Sequence, residues 1–372
     1  MAKGLSKSRL EENYLITCGA AARLSAAFNA PLSGMVFALK EVHRSFSPVI
    51  LLSATAASLT ADFVSKYFFG LKPVLDFAAI PQLPIHLYLW LLPIGILSGL
   101  AGSLMNKVLL GFQTLYNKLP AFSRPCIALL IALPCGMLLP LTLGSGQSLI
   151  KFAEGAQTGI VMLLIYLAVK LLFTSTSFGS DVPGGILMPI LAVGTLTGSI
   201  FGIIATHFGL SAQYIPVFAI CAIAGALSSS VKAPVTSILL TAEMAGSLIH
   251  MLPVAACAFL ALLVSNLLKV EPVYETLLER FVEQNGKKLP VQVRGGLMEF
   301  PVELGSEAAG NVISEIKWPK GSLVVGLRRG AKELVPRGKT QVMPGDYLVI
   351  LSSGEEEEDI HGKMVSLCHA KF

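Results

Sequence analysis

Apolar segments that are repeatedly broken by glycine and proline are the feature that most constrains how this chain can fold. Of its 372 residues, 53% are hydrophobic and only 14% are charged, whereas soluble domains contain about 25% charged residues. The apolar excess therefore predicts an integral membrane protein, not two or three soluble domains. The candidate membrane segments are Tyr14–Ala26, Ala30–Val42, Ile50–Phe69, Leu87–Leu110, Ile127–Leu143, Gly159–Phe173, Gly185–Ile204, Ile215–Leu227, Pro234–Ala245 and Met251–Leu268.

Several of these segments are too short for a straight transmembrane helix, which needs about 20 apolar residues. Glycine and proline interrupt them, for example at Pro31, Gly34, Pro189 and Pro234. Short, interrupted helices are typical of transporters whose broken helices meet near the midplane of the membrane. The predicted fold is a mainly α-helical polytopic membrane protein with broken helices.

The run Pro183–Pro189, which reads PGGILMP, predicts a binding site for an anion. Two glycines open an apolar helix here, so the first N–H groups of that helix have no helical acceptor. The helix dipole adds partial positive charge at the same end, which attracts anions. The two glycines are Gly184 and Gly185, and the candidate donors begin at Gly185. The alternative is a glycine-rich crossing between two membrane helices.

Two segments of the chain resemble each other and predict an internal repeat. Residues 28–41 read FNAPLSGMVFALKE, and residues 231–243 read VKAPVTSILLTAE. Each has Ala-Pro, small residues, an apolar helix and then a charge, and proline suits the first position of a helix. Two related halves are common in secondary transporters, and chance similarity of two short amphipathic helices is the alternative.

After Leu268 the sequence changes from apolar to charged. A helix is predicted at Tyr274–Gln284, and residues 291–353 read as a small soluble α/β unit of βαβββ type with a helix from Ser306 to Ile316. Its expected strands are Met298–Leu304, Leu323–Leu327, Lys332–Val335 and Tyr347–Leu351. The acidic run Glu355–Asp359 is expected to be solvated surface.

Several motifs resemble those of the CLC family of chloride channels and chloride/proton exchangers. They stand in the family's order and spacing over about residues 13–278. The matching runs are AAFNAPLSG at 26–34, PGGILMP at 183–189, KAP at 232–234 with EM at 243–244, and EPVY at 271–274. The soluble unit resembles the TrkA C-terminal domain, found in proteins that regulate potassium conductance. Its matching segments are Ser306–Ile316, Val324–Arg328 and MPGD at 343–346.

The resemblance implies a domain order for the chain. A CLC-type transmembrane domain with an inverted repeat is expected at 1–278, a linker at 279–296, a TrkA-C-like regulatory domain at 297–354, and an acidic, polar tail at 355–372. Two further anion-binding motifs of the family would stand upstream: a Gly-Ser-Gly-x-Pro loop, and a Gly-Arg/Lys-Glu-Gly-Pro loop with the gating glutamate. We therefore expect a transmembrane domain that is incomplete at its N-terminus.

The resemblance also implies roles for single residues. Ile186 and Leu187 match positions whose backbone N–H groups bind the central anion, and Tyr274 matches a tyrosine whose hydroxyl donates to it. Glu41 matches the internal glutamate that passes protons in exchangers, and the helix from Pro31 extends about 15 Å to reach it. An interfacial tyrosine and an exposed charge at a helix end are the alternative interpretations.

Glu243 lies within an apolar helix, where a lone carboxylate is unfavourable. It is predicted to be a structural charge, with Lys232 as its expected partner near the other end of the same short helix.

These residues predict chloride transport, and Glu41 favours exchange against protons. A passive channel of the voltage-gated type is one alternative, and a truncated, non-transporting fragment with a ligand-sensing domain is another. The sequence has no evident Ser/His/Asp or Cys/His set and no metal-ligand spacing. We therefore expect neither an enzyme nor a cofactor or metal site, and chloride is the expected transported ligand.

The family resemblance implies a homodimer in the lipid of the plasma membrane, with the C-terminal domain in the cytoplasm. The net charge of +5 fits basic cytoplasmic loops better than nucleic-acid binding. The soluble domain lacks GxGxxG, and its basic residues predict either a site for a small anion such as a cyclic dinucleotide or a solvated face. These residues are Arg328, Arg329, Lys332, Arg337 and Lys339.

Overall fold

The computed structural model describes residues 9–43, 48–70, 75, 81–154, 159–182, 184–284, 297–330, 332–352 and 357–368. The chain divides into two units, Met1–Leu277 and Leu278–Phe372. Pro183, the first residue of the predicted anion-binding run, lies outside the described residues. Residues 285–296, which form most of the predicted linker, also lie outside them. The helices that precede the C-terminal domain are α1 (Arg9–Phe28), α2 (Pro31–Phe37), α3 (Pro48–Phe69), α4 (Leu91–Tyr116), α5 (Ser123–Leu138), α6 (Gln147–Glu154), α7 (Ile160–Gly179), α8 (Leu187–His207), α9 (Ile215–Val231), α10 (Pro234–Met244), α11 (Met251–Leu267) and α12 (Val273–Gln284).

Within the described part of the chain, five helices are long and apolar enough to cross a membrane. They are Pro48–Phe69, Ile85–Tyr116, Ile160–Gly179, Leu187–His207 and Ala212–Val231, where two of the spans include a short 3₁₀ turn before the α-helix. The α5 and α11 helices are apolar but shorter. Long and short apolar helices therefore occur together, as the interrupted segments predict.

Two breaks in the helical chain have nearly the same backbone geometry. Asn29 and Lys232 both adopt the left-handed conformation, with φ of 52° and 58°. The alanine that follows each has φ and ψ of −129° and 75° at Ala30, and −123° and 72° at Ala233. The next residue is the proline that begins α2 or α10. Proline has no N–H, and the first position of a helix does not need one for a helical hydrogen bond. The matching dihedral angles support the internal repeat predicted from the sequence.

The α8 and α9 helices cross at a stripe of glycines in α8. Gly194, Gly198 and Gly202 recur every four residues and therefore share one face of the helix. A Cβ atom on Gly198 would lie 2.5 Å from the backbone of α9, at Phe218 O and Ala219 Cα. A glycine-rich helix crossing, the alternative interpretation of the run 183–189, therefore exists. It lies within α8 and not at Gly185, which precedes that helix.

The C-terminal unit contains one antiparallel sheet and a terminal helix. Its strands are β1 (Leu297–Pro301), β2 (Ser322–Arg329), β3 (Lys332–Leu334) and β4 (Asp346–Ser352), and the helix is α13 (Glu357–Cys368). The strand order is β1-β4-β2-β3, with Leu297 opposite Leu351 and Leu327 opposite Leu348. The unit is α/β as predicted, but its helix follows the strands, so the βαβββ order is wrong.

The helix predicted from Ser306 to Ile316 is absent, because this segment consists of turns. Gly305 and Gly310 have φ of 89° and 86°, which interrupts a right-handed helix. The backbone bonds run to another segment instead: Gly310 N donates to Val342 O at 2.8 Å, and Ile313 N to Thr340 O at 3.0 Å. Pairing with a distant segment therefore replaces the expected local bonds.

The polar tail predicted at 355–372 is wrong for most of its length, because α13 occupies Glu357–Cys368. Ile360, Met364 and Cys368 are spaced four apart, and each is at most 1% exposed in the core of the C-terminal unit. An apolar stripe at helical spacing therefore outweighs the acidic residues that precede it.

A buried carboxylate holds the turn before β4. Asp346 is 1% exposed, and its two oxygens accept hydrogen bonds from Arg329 Nε at 2.8 Å and Nη2 at 2.7 Å. The N–H of Met343 donates to the same carboxylate at 2.8 Å. Burial alone would raise the pKa of Asp346, but the bonds from Arg329 and Met343 outweigh burial and lower that pKa below its usual value.

Replacing this carboxylate in Asp346→Asn is expected to destabilise the C-terminal unit by about 1–2 kcal/mol at pH 7, after allowance for the partial exposure of Arg329. Because the folded-state pKa of Asp346 is lowered, its contribution is present above the unfolded pKa of about 4 and is lost at lower pH. Hydrogen exchange of the β4 amides in the full chain, between pH 7 and pH 3, measures both effects.

The matched control is Glu299→Gln, which removes an exposed carboxylate that lies 3.4 Å from Arg328. This change is expected to alter stability by less than about 0.5 kcal/mol. Equal protection of β4 in the two variants at pH 7 would contradict the role given to Asp346.

Candidate functional site

The start of α8 presents backbone donors that have no acceptor among the described residues. The helix begins at Leu187 and no side chain caps it. In the described residues, the N–H groups of Gly185, Ile186 and Leu187 make no hydrogen bond outside a helix, and the first turn of a helix has no internal acceptors for them. A Cβ on Gly185 would meet nothing within 4 Å. The space beside Gly185 is therefore open, and the predicted anion donors have no hydrogen-bond acceptor among the described residues.

Tyr274, the second residue of α12, packs against the same hydrophobic cluster as the start of α8. Ile186 is 3% exposed within that cluster, and the half-buried Leu187 and Tyr274 both contact it. The ring of Phe37 meets the Tyr274 ring edge to face, with centroids 6.0 Å apart. In the part of the chain that the structure covers, the Tyr274 hydroxyl has no hydrogen-bond partner. The structure thus brings the predicted hydroxyl donor and the predicted backbone donors into one region.

Glu41 lies in a π-helical turn, Ala38–His43, that continues α2. Its side chain is 14% exposed, and its Oε1 lies 3.7 Å from the ammonium of Lys40. Burial and, as the smaller cause, the negative charge of Glu41 together raise the pKa of Tyr274 to about 12. The two predicted functional side chains therefore interact electrostatically.

Glu243 contacts the other half of the repeat, and not the expected Lys232. Its carboxylate accepts hydrogen bonds from Leu32 N at 3.0 Å and Ser33 N at 2.8 Å, and the Ser33 hydroxyl also donates to it. These N–H groups stand in the first turn of α2, which has no other cap. An anionic side chain from α10 therefore satisfies the donors of α2 and complements its dipole.

Lys40 makes the reciprocal contact. In the aligned repeats Lys40 occupies the position that corresponds to Glu243, and its Nζ donates to Lys232 O at 3.0 Å. That carbonyl stands at the C-terminal end of α9, where the helix dipole favours a cation. An acid at a helix start and a base at a helix end thus join the repeats. Sequence reasoning missed this pair, although the repeat alignment contains it.

Glu243→Ala is expected to destabilise the transmembrane unit by about 2–3 kcal/mol, because it removes charge-assisted bonds and leaves the first N–H groups of α2 without acceptors. Thermal unfolding in detergent measures the loss. Glu279→Ala, at an exposed site on α12, is the control and is expected to have little effect. An unchanged melting temperature in Glu243→Ala would show that the contact is not stabilising.

Family models match both parts of the chain. A model described as voltage gated chloride channel matches residues 1–266. A second model, described as TrkA-C domain, matches residues 297–361.

Relatives of the helical unit are transporters by name. A protein named H(+)/Cl(-) exchange transporter ClcA from Cronobacter sakazakii (strain ATCC BAA-894) is 33% identical over 291 residues, which cover 76% of this chain and 62% of the relative. The protein with the same name from Yersinia pestis bv. Antiqua (strain Angola) is 33% identical over 279 residues, or 72% and 58% of the two chains. This chain thus spans about three fifths of the length of these relatives.

Two solved structures have a similar fold. A slow cyanobacterial Cl-/H+ antiporter aligns with a TM-score of 0.69 at 26% identity, over 75% of this chain and 67% of its own. A CLC-type fluoride/proton antiporter aligns with a TM-score of 0.58 at 26% identity, over 69% and 65% of the two chains.

Proposed function

Because this chain belongs to the voltage gated chloride channel (CLC) family and carries a TrkA-C domain, we propose that it exchanges chloride for protons across a membrane. The observation that carries the proposal is the start of α8, where unpaired N–H groups adjoin the cluster against which Tyr274 packs. The names of the relatives and of the structural neighbours support exchange with protons over passive conduction.

In this proposal the anion is held by neutral donors. The N–H groups of Ile186 and Leu187 bind it with the help of the α8 dipole, and the Tyr274 hydroxyl donates from α12. Gly185 leaves the approach to these donors free of side-chain atoms. Donors without a full positive charge bind chloride weakly enough for it to leave, as transport requires.

Glu41 carries the proton in the proposed cycle. A partly buried carboxylate can accept and release a proton during turnover. Its electrostatic interaction with Tyr274 offers a direct physical link between the charge of Glu41 and the hydroxyl that holds the anion. Chloride then moves in one direction and protons in the other, because chloride occupies the anion site and a proton occupies Glu41 in alternation.

We also propose a homodimer in the plasma membrane, with the TrkA-C domain in the cytoplasm as the sensor of a small anionic ligand such as a cyclic dinucleotide. Arg329 is engaged by Asp346, so it is a poor candidate for ligand binding. Arg328 is a better one: its side chain is 42% exposed, and its 3.4 Å pair with the exposed Glu299 is weaker than the pair of Arg329 with the buried Asp346. Its guanidinium lies 4.8 Å from the centre of the Tyr347 ring.

The test is simultaneous recording of chloride efflux and external pH from liposomes that contain the full 372-residue chain. Chloride loss accompanied by opposite proton movement is the expected result. Chloride loss without proton movement would contradict exchange and favour a passive channel. Absence of both fluxes, relative to protein-free liposomes, would contradict transport and favour the sensing fragment.

A further inference from the structure

The strongest unexplained feature of the helical unit is a buried lysine in a membrane helix. Lys170 lies in α7, is 0% exposed, and is the largest fully buried side chain among the described residues. An ionisable residue inside a membrane helix is unfavourable, and such residues mark ion pathways more often than they serve packing alone.

The ammonium of Lys170 is hydrogen-bonded but has no acidic partner. Its Nζ donates to Thr142 O and to Gly144 O, both at 2.9 Å. It also lies 5.9 Å from the centre of the Phe173 ring. In the ranges that the structure describes, no carboxylate lies within 4.0 Å of Nζ, so the carbonyl dipoles and the ring solvate the charge without neutralising it.

This charge adjoins the helix that carries the anion donors. A Cβ atom built on Gly146 would lie 3.3 Å from Lys170 Nζ and 3.0 Å from Ala192 Cβ. Nζ and the Ala192 side chain are thus neighbours across that glycine. Ala192 stands in the second turn of α8, about 7.5 Å along the axis from Leu187. The ammonium is therefore on the order of 10 Å from the start of α8.

We infer that Lys170 is an affinity-setting residue for the anion, which supplies positive potential to the start of α8 from a fixed position. The inference rests on the proposed anion site. The donors at that site are neutral, so a buried positive charge close to them adds directly to the attraction for chloride. Because two carbonyls hold the ammonium in place, it cannot move onto the anion and trap it.

Coulomb's law gives the size of the effect. At an effective dielectric constant near 20, a unit charge about 10 Å away changes the affinity for a monovalent anion roughly tenfold or somewhat more. A purely structural role, in which Lys170 only holds the turn at 142–144, predicts a change in stability and no change in affinity.

The test is calorimetric titration of chloride into the purified full-length chain in detergent. Lys170→Gln keeps an N–H donor for the carbonyls and removes the charge, so we expect about tenfold weaker binding. Lys170→Arg keeps the charge and is expected to bind within about threefold of the parent. Lys151→Gln removes the same charge from an exposed site on α6 and is expected to bind like the parent.

A second pair of variants leaves Lys170 unchanged, in case Lys170→Gln does not fold. Phe173→Glu places a carboxylate near the ammonium at a half-buried position, and Phe173→Gln is its neutral counterpart. We expect the Glu variant to bind chloride about tenfold more weakly than the Gln variant.

Equal affinities in a folded Lys170→Gln and the parent, or in the two Phe173 variants, would overturn the inference. Absence of chloride binding in the parent chain would instead overturn the proposed anion site, so the two failures are distinguishable.

Discussion

Glu41→Gln is expected to abolish proton movement while chloride movement continues. Glutamine keeps the size and hydrogen-bonding capacity of the side chain but cannot carry a proton at this step. In the liposome recording, the proton flux that accompanies chloride should fall to the background of protein-free vesicles. The effect on proton flux is complete in this account, because Glu41 is the one side chain assigned to proton transfer.

Two comparisons make this result specific. Glu279→Gln, at an exposed position of α12, should leave both fluxes unchanged. Tyr274→Phe should weaken chloride binding and leave Glu41 able to carry protons, because it removes only the hydroxyl donor. Undiminished proton flux in Glu41→Gln would remove Glu41 from the pathway and leave the exchange mechanism without its proton carrier.

The largest loss of stability is expected from Gly198→Ala. The added Cβ would lie 2.5 Å from Phe218 O and from Ala219 Cα, and both are backbone atoms that cannot rotate away. The α8 and α9 helices would have to separate, which we expect to lower the free energy of unfolding by about 3 kcal/mol. Because α8 also carries the anion donors, chloride affinity should fall with stability.

Gly111→Ala provides the matched control for this substitution. Gly111 lies in α4, and a Cβ there would meet nothing within 4 Å. Alanine is the better helix former, so this change should stabilise the chain by up to about 1 kcal/mol. Thermal unfolding of both variants in one detergent distinguishes the loss of stability at the helix crossing from the general effect of replacing glycine by alanine. Similar melting temperatures would show that α8 and α9 tolerate separation.

The helix starts were predictable because their signals are local. Proline at the first position fixes where α2 and α10 begin, and the apolar runs fix which segments are helical. The strands of the C-terminal unit follow from turn residues in the same way. The helix expected at Ser306–Ile316 fails because its backbone bonds to residues 338–342, a pairing that no local pattern contains.

The contacts of the charged residues were harder to predict from the sequence. Glu243 binds N–H groups more than 200 residues away in the chain, so only the alignment of the two repeats could have indicated the partner. Lys170 had a visible signal, since it is a single charge in an apolar helix. Its acceptors are the backbone carbonyls of Thr142 and Gly144, however. Every residue has a backbone carbonyl, so the residue types at these positions do not indicate the contact.

The central claim is that an anion binds at the start of α8. The most direct measurement is the anomalous scattering of bromide in crystals of the full chain, because bromide replaces chloride and can be located without ambiguity. We expect a bromide peak within hydrogen-bond distance of the N–H groups of Ile186 and Leu187 and of the Tyr274 hydroxyl. A bound bromide elsewhere in the helical unit, with none at these donors, would contradict the claim.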